Sequence, residues 1–127
     1  MALRTLLLGS LLASAGCLAA AAAGAGGAIV LTGHTAEAIV DRPVGEVAGV
    51  AEAVMAAEEI EVVDTRTEDR GAKRVYEGDR GELDVTVTIE EDDEGTKVGV
   101  EARRNAARWD DDYARSLLAK IIERAGT

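Results

Sequence analysis

Strict alternation of apolar and polar residues over positions 82–90 (ELDVTVTIE) constrains the fold of this chain more than any other feature. Leu83, Val85, Val87 and Ile89 occupy every second position, and polar residues lie between them. Successive side chains of a β-strand point to opposite faces of a sheet, so the segment predicts a strand with one buried face and one face in water. An antiparallel sheet that is covered on one side only is typical of such a pattern.

The rest of the chain predicts four further strands and two helices. The predicted strands cover residues 28–41, 60–67, 72–78, 82–90 and 96–103, with turns at 68–71, 78–81 and 91–95. The predicted helices cover residues 44–59 and 110–125. The order β-α-β-β-β-β-α lets both helices pack on the apolar face of a single antiparallel sheet, which is an α+β fold. This order resembles the TATA-binding-protein-like or helix-grip arrangement, and a fold by itself does not indicate a function.

Each predicted helix carries an apolar stripe at helical spacing. The stripe of the first consists of Val47, Val50, Ala51, Val54 and Ala57, and that of the second of Tyr113, Ala114, Leu117, Leu118, Ile121 and Ala125. Asp41 is the predicted N-cap of the first helix, with Pro43 in its first turn. Gly45 and Gly49 lower the propensity of that helix, and we interpret them as sites where the helix approaches the sheet closely. Trp109, just before the second helix, is predicted to be a hydrophobic staple or lid residue, and the alternative is an exposed anchor for a partner.

The N-terminal segment has the parts of a secretory signal that ends in a lipid-attachment site. A positively charged n-region precedes the apolar run LLLGSLLASA at residues 6–15. The sequence SAGC at positions 14–17 resembles a bacterial lipobox, in which the cysteine thiol takes up a diacylglycerol before the chain is cleaved on the amino side of that cysteine. Ser14 stands where leucine is most usual. We predict lipidation of Cys17, the only cysteine, and signal cleavage between Gly16 and Cys17.

An uncleaved signal-anchor helix is the alternative for this segment. Residues 5–31 carry no charge and are long enough to span a bilayer, and Cys17 would then be a small apolar residue within the span. The Ala/Gly tract argues against such a helix, because each glycine costs about 1 kcal/mol of helix propensity. We therefore predict a signal peptide at 1–16, a lipidated cysteine with an Ala/Gly tether at 17–28, and a small α+β domain at 29–127.

The charge of the chain excludes one class of partner. Lys and Arg number 14 against 24 Asp and Glu, so the formal net charge is −10, and the aromatic residues are Tyr76, Trp109 and Tyr113. Nucleic acid is bound by basic groups that neutralise phosphate and by aromatic platforms that stack on bases, so we predict no nucleic-acid binding. The acidity is typical of a soluble monomeric domain or of a salty habitat. The remaining interpretation is an acidic surface that binds a partner.

Few residues of this chain offer catalytic or metal-binding chemistry. His34 is the only histidine, and we interpret it as a solvated residue at a strand edge and not as a catalytic base. The acidic residues 90–94 lack the ligand spacing of a Ca²⁺ loop and are typical of an exposed hairpin tip. Residues 110–112 are three acids with the chemistry to ligate Mg²⁺, but capping and helix-dipole compensation already explain them. We predict no metal site and no cofactor.

Short motifs spread over nearly the whole chain occur in one order: Ala15-Gly16-Cys17, the Ala/Gly-rich residues 24–33, Asp41-Arg42-Pro43-Val44, and Trp109-Asp110-Asp111 followed by Leu117, Leu118 and Ile121. With a lipobox, an Ala/Gly tract and a β-α-β4-α domain, the chain resembles a family of short bacterial lipoproteins whose domain has no assigned function. Asp110 departs from the family's pattern, since glycine is common there. The resemblance implies a membrane-anchored envelope protein, and it supplies no catalytic residues.

Together these features predict a non-enzymatic lipoprotein of the bacterial cell envelope that binds or scaffolds another envelope protein. Its lipid anchor would hold the domain at a membrane surface facing the periplasm, and Leu18 after the cysteine favours the outer membrane over the inner one. The alternative is a domain that binds a lipid or a small apolar ligand in a cavity between sheet and helices. An enzyme is a third class, disfavoured because the chain has a single His and a single Cys.

Overall fold

The computed structural model describes residues 28–105 and 107–126, which fold into seven antiparallel strands and two helices. In chain order the elements are β1 (Val30–Thr32), β2 (Thr35–Val40), α1 (Val44–Ala57), β3 (Glu61–Glu68), a 3-10 turn (Asp69–Gly71), β4 (Lys73–Arg80), β5 (Leu83–Asp92), β6 (Gly95–Arg104), β7 (Arg108–Trp109) and α2 (Asp111–Ala125). The predicted α+β class is confirmed. The short strands β1 and β7 are additions to the predicted order.

The strands form one sheet in the order β1-β2-β6-β5-β4-β3, and β7 pairs with the end of β6. After β2 the chain crosses through α1 to β3 at the opposite edge, and it returns strand by strand until β6 pairs with β2. Helix α1 packs on β5 and β6, and α2 packs on β2, β6 and α1. Both helices cover one face of the sheet, as predicted.

The alternation in β5 has the predicted consequence. Its four apolar side chains are at most 2% exposed and point toward the helices. They pack with alternate residues of β2 and β6, namely Ala36, Ala38, Val40, Val98, Val100 and Ala102. Thr96 is a buried polar residue on the same face of β6, and its hydroxyl donates to the Arg42 carbonyl oxygen at 2.6 Å. This hydrogen bond joins the β2–α1 connection to the sheet and removes the cost of burying the hydroxyl.

Helix α1 begins differently from its prediction. Pro43 is the N-cap, and no side chain caps the helix, so the prediction of Asp41 as the N-cap is wrong. A Cβ atom on Gly45 or Gly49 would meet nothing within 4 Å, so these glycines do not mark a close approach to the sheet. Arg42 instead secures this end of the helix, because its Nε donates to the Ala125 carbonyl oxygen at the end of α2.

The buried face of α1 also differs from the predicted stripe. Its buried residues are Val47, Ala48, Ala51, Val54 and Met55. Val50 is only half-buried and Ala57 is exposed, contrary to the predicted stripe. The helix packs on β3, β5, β6 and α2 at once, so its buried side is set by several elements and is not a single stripe. In α2 the predicted stripe is confirmed, except that Tyr113 is half-buried.

Two predicted segments are divided differently in the structure. The predicted strand at 28–41 is a hairpin, because the chain reverses at Gly33, which has φ of +63°, and at His34. The predicted loop at 91–95 is shorter, since β5 continues to Asp92 and β6 begins at Gly95. Gly95 has φ of +139°, a conformation that side chains with a Cβ rarely adopt.

The predicted turn at 78–81 begins too early, because β4 continues through Gly78 to Arg80. A Cβ atom on Gly78 would lie 2.6 Å from Ile60 Cγ2 and 2.8 Å from the Glu61 carbonyl oxygen. This glycine therefore permits the close approach of the chain that enters β3. A glycine within a strand often marks such an approach, and its sequence signature is the same as that of a turn.

Candidate binding surface

The predicted site residues lie outside the part of the chain that the structure describes. Gly16 and Cys17 belong to residues 1–27, so lipidation and cleavage there stay predictions. Among the described residues, the feature most suited to binding is the face of the sheet opposite the helices, called here the open face. It consists of the side chains that alternate with the core residues along β2 to β6.

The open face is polar and mainly acidic. The register places on it the acidic residues Glu37, Glu61, Asp64, Glu68, Glu77, Asp79, Asp84, Glu90 and Glu101, and the basic residues Arg66, Lys73, Lys97 and Arg103. Because acidic side chains outnumber basic ones, the surface attracts cationic groups and repels anionic ones. The open face has five more acidic than basic side chains, which fits the interpretation of the acidity as a partner-binding surface.

Arg66 in β3 is shared by three carboxylates. Its guanidinium donates to Glu77 Oε2 at 2.7 Å and to Asp64 Oδ2 at 3.2 Å, and it lies 3.8 Å from Glu68 Oε2. The hydrogen bond to Glu77, followed by the other effects of Glu77 and Asp64, raises the pKa of Arg66. These side chains are about half exposed, so the pairs contribute little stability. Lys73 Nζ also lies 4.0 Å from Glu68 Oε1, so two cations meet three acids and this part of the face keeps a negative charge.

Three further carboxylates face one another across β3, β4 and β5. The register places Glu61 opposite Asp79, and Asp79 opposite Asp84. Desolvation raises the pKa of Asp79, and the hydrogen bond from Asp84 and the charges of Asp84 and Glu61 raise it further. None of the ion pairs within residues 28–105 and 107–126 involves these three acids. These three residues are called here the acidic row. Like charges directly opposite one another destabilise a sheet, so the acidic row lowers the stability of the fold.

A shallow groove of about 190 Å³ crosses the middle of the open face. Its floor is Gly99, where a Cβ atom would lie 3.2 Å from Thr35 Cγ2. Threonines, glutamates and one cation, Lys97, line its sides, and Thr35 Oγ1 donates to Glu101 Oε2 at 3.0 Å. The groove therefore offers hydroxyl and carboxylate oxygens, which accept hydrogen bonds from ammonium or guanidinium groups.

At one end of the open face, aromatic and charged side chains form a stack. The rings of His34 and Trp109 are parallel to within 6°, with centroids 4.6 Å apart, and the Arg103 guanidinium carbon lies 4.3 Å from the centroid of Trp109. His34 Nδ1 lies 3.0 Å from Asp111 Oδ1. His34 is exposed, as predicted, but its partners were not foreseen, because no local pattern relates it to residues 77 positions away. The stack joins the β1–β2 turn to β7 and to the start of α2.

Asp110 has the capping role that its position predicts. Its Oδ1 accepts a hydrogen bond from the Tyr113 backbone N–H at 3.0 Å, and its Oδ2 accepts one from Arg104 Nε at 2.7 Å. The backbone hydrogen bond, and then Arg104, lower the pKa of Asp110. Within residues 28–105 and 107–126, no group of three or more His, Cys, Asp or Glu side chains is arranged to hold a metal ion.

The layer between sheet and helices is filled with side chains. Val47, Met55, Leu117 and Leu118 are at most 1% exposed. A wide cleft of about 630 Å³ lies elsewhere, at the end of the sheet between the β2–α1 connection, the 3-10 turn and the β5–β6 hairpin. The packing of the layer therefore offers no support for the alternative of a ligand cavity between sheet and helices.

No model of a known protein family matches the chain, and no curated protein matches it. In the part of the chain that the structure describes, no helix is both long enough and apolar enough to cross a membrane. The resemblance to short bacterial lipoproteins therefore stays a prediction. The function has to be argued from the sequence and from the open face.

Proposed function

We propose that the protein is a non-enzymatic binding module that a lipid on Cys17 anchors in the bacterial cell envelope, with its domain facing the periplasm. The observation that carries the binding role is the open face, since both helices cover the other face of the sheet and leave this one lined mainly with carboxylates. Its partner is an envelope protein with a basic docking surface. The outer membrane is the favoured location, because Leu18 follows the cysteine.

The topology suits a domain that is tethered at its N-terminus. The described chain begins at Ala28, next to β1 at one edge of the sheet, and β3 forms the opposite edge. Five strand spacings separate these edges, a distance of about 24 Å. A tether that ends beside β1 therefore leaves the acidic end of the open face, near β3 and β4, away from the point of attachment.

Labelling with a clickable fatty acid tests the anchor. The wild-type chain should incorporate the label, and Cys17→Ala should incorporate none, because the thiol is the group that takes the lipid. Ser14→Leu is the matched control, since it restores the usual residue of the motif and should label at least as strongly as the wild type. Equal labelling of the wild type and Cys17→Ala would refute the anchor.

Site-specific photocrosslinking in cells tests the open face. A photoreactive residue at Thr86, near the middle of the open face, should crosslink to an envelope protein in a manner that salt weakens. The matched control is Ser116, an exposed position on α2. The same crosslinked product from both positions would show that the open face is not the docking surface.

A further inference from the structure

The two edges of the sheet differ in length and exposure. At one edge β1 has three residues, whereas at the other β3 has eight, and all eight are exposed. Among the described residues, β4 is the only strand that pairs with β3. The outer edge of β3 therefore presents backbone N–H and C=O groups that are free to pair with a further strand. Val62 and Val63 on this strand are 39% and 58% exposed, and Val30 on β1 is exposed to a similar degree, at 56%.

We propose that the outer edge of β3 accepts an extended segment of a partner protein that carries basic residues at alternate positions. The segment would join the sheet as a further strand. Backbone hydrogen bonds in such a strand addition provide affinity for any sequence, and the side chains on the two faces select the partner. The inference rests on the proposed function and deepens it, because it names the edge and the kind of partner.

Carboxylates select basic side chains on the open face. The acidic row ends at Glu61 on the edge strand, and the next open-face pair along the same strands is Asp64 and Glu77. Asp79 and Glu77 are two residues apart on β4, which is a distance of about 7 Å along the strand. Neighbouring side chains on one face of an added strand have the same spacing. Basic residues at positions i and i+2 of the added strand would therefore lie beside these two acidic groups. Among the described residues, Arg66 contacts Asp64 and Glu77 but no residue of the acidic row, and Arg103 lies opposite Asp84. Acids outnumber bases in both groups, so both attract further cations.

The other face of the edge selects an apolar residue between the two basic ones. Val62 lies opposite Gly78 and points to the helix side of the sheet. Tyr76 closes the core next to it, because its side chain is buried and its hydroxyl donates to Glu52 Oε2 of α1 at 2.7 Å. An added residue at i+1 would lie beside Val62 and cover its exposed methyl groups. The preferred pattern is therefore basic, apolar, basic.

A second copy of this chain is a poorer occupant of the edge. Its own β3 would bring the same excess of carboxylates, and each chain has a formal net charge of −10. The charges that oppose self-association are the same charges that attract a basic segment.

Peptide binding to the full-length chain in a neutral detergent tests the inference. The probe is a fluorescein-labelled peptide of sequence VKVKVKV, and its anisotropy reports binding. We expect saturable binding that about 0.5 M NaCl weakens strongly. The peptide VEVEVEV should not bind, and KKKVVVV, which has the same composition without the alternation, should bind at least about tenfold more weakly. Amide hydrogen exchange of residues 61–68 should slow when VKVKVKV is bound, and exchange of residues 30–32 should not.

Charge-neutralising variants locate the contact. Glu61→Gln with Asp64→Asn should weaken the binding of VKVKVKV about tenfold, because these two carboxylates on the edge strand would lie beside the two basic residues. The matched control is Asp112→Asn with Glu123→Gln, which removes the same charge from exposed positions of α2 and should change the affinity less than about twofold.

Three results would overturn the inference. The first is that both double variants lose the same affinity for VKVKVKV. The second is that the peptide binds while amide hydrogen exchange in β3 is not slowed. The third is that the chain sediments as a dimer and its β3 amides are protected from hydrogen exchange in the absence of peptide. Any of them, together with intact Cys17 labelling and Thr86 crosslinking, would leave the proposed function standing and remove only the edge as its site. Failure of labelling and crosslinking as well would remove the proposed function itself.

Discussion

Replacement of Asp110 by Ala should destabilise the domain by about 1.5 kcal/mol. The side chain caps α2 through the Tyr113 N–H at 3.0 Å, and the loss of such a cap costs about 1 kcal/mol. It also accepts a hydrogen bond from Arg104 at 2.7 Å, and a partly exposed pair of this kind contributes about 0.5 kcal/mol. Asp110→Asn keeps a capping oxygen and loses the charge, so it should cost only about 0.5 kcal/mol.

Urea unfolding at pH 7, followed by far-UV circular dichroism, measures these differences. A change of 1 kcal/mol corresponds to about 4–8 °C in Tm for a domain of this size, so thermal unfolding provides a second reading. Asp112→Ala is the control, because Asp112 lies in the same helical turn and its side chain is 98% exposed. A cost below about 0.5 kcal/mol for Asp110→Ala, or an equal cost for Asp112→Ala, would refute the capping argument.

The pH dependence of the same variants provides an independent check. The pKa of Asp110 is lowered in the folded chain, chiefly by the Tyr113 N–H and then by Arg104, from an ordinary value of 3.8. A carboxyl group with a lowered pKa contributes stability above its unfolded value and loses it as pH falls through the folded value. The advantage of the wild type over Asp110→Ala should therefore be full at pH 7 and shrink below pH 3.8.

Three further substitutions test the core, a backbone conformation and the acidic row. Leu117→Ala should cost about 2–5 kcal/mol in urea unfolding, because the side chain is 1% exposed, and a cost under about 1 kcal/mol would contradict its place in the core. Gly95→Ala should lower Tm strongly, since the new Cβ would collide with the Val40 carbonyl oxygen at a φ of +139°, and an unchanged Tm would show that the hairpin has another conformation. The pKa of Asp79 is raised in the folded chain from its ordinary value of 3.8. Asp79 therefore contributes stability to the fold below pH 3.8, and this contribution is lost as pH rises through the pKa of the folded state. Asp79→Asn should therefore raise Tm at pH 7 and not at pH 3, and a lower Tm at pH 7 would contradict the repulsion within the row.

Patterns that lie within one segment predicted their structure well. The buried face of β5 and the cap and buried stripe of α2 depend on side chains a few positions apart, and the structure confirms them. The prediction of a turn at Gly78 is wrong and the predicted stripe of α1 lacks the buried Met55, because both positions depend on segments that are distant in sequence. Gly78 permits the approach of Ile60, and the buried side of α1 depends on its packing against several strands and α2 at once.

Periodicity and net charge need no knowledge of the fold, so the sequence alone predicted the buried sheet face, the two amphipathic helices that cover it and the acidic character of the chain. Which charges meet depends on the fold of the whole chain. The order of strands brings Glu61, Asp79 and Asp84 side by side, and the β1–β2 turn brings His34 against Trp109. The physical reason is that cross-strand neighbours are set by register and strand order, which arise from packing the whole chain and not from any one segment.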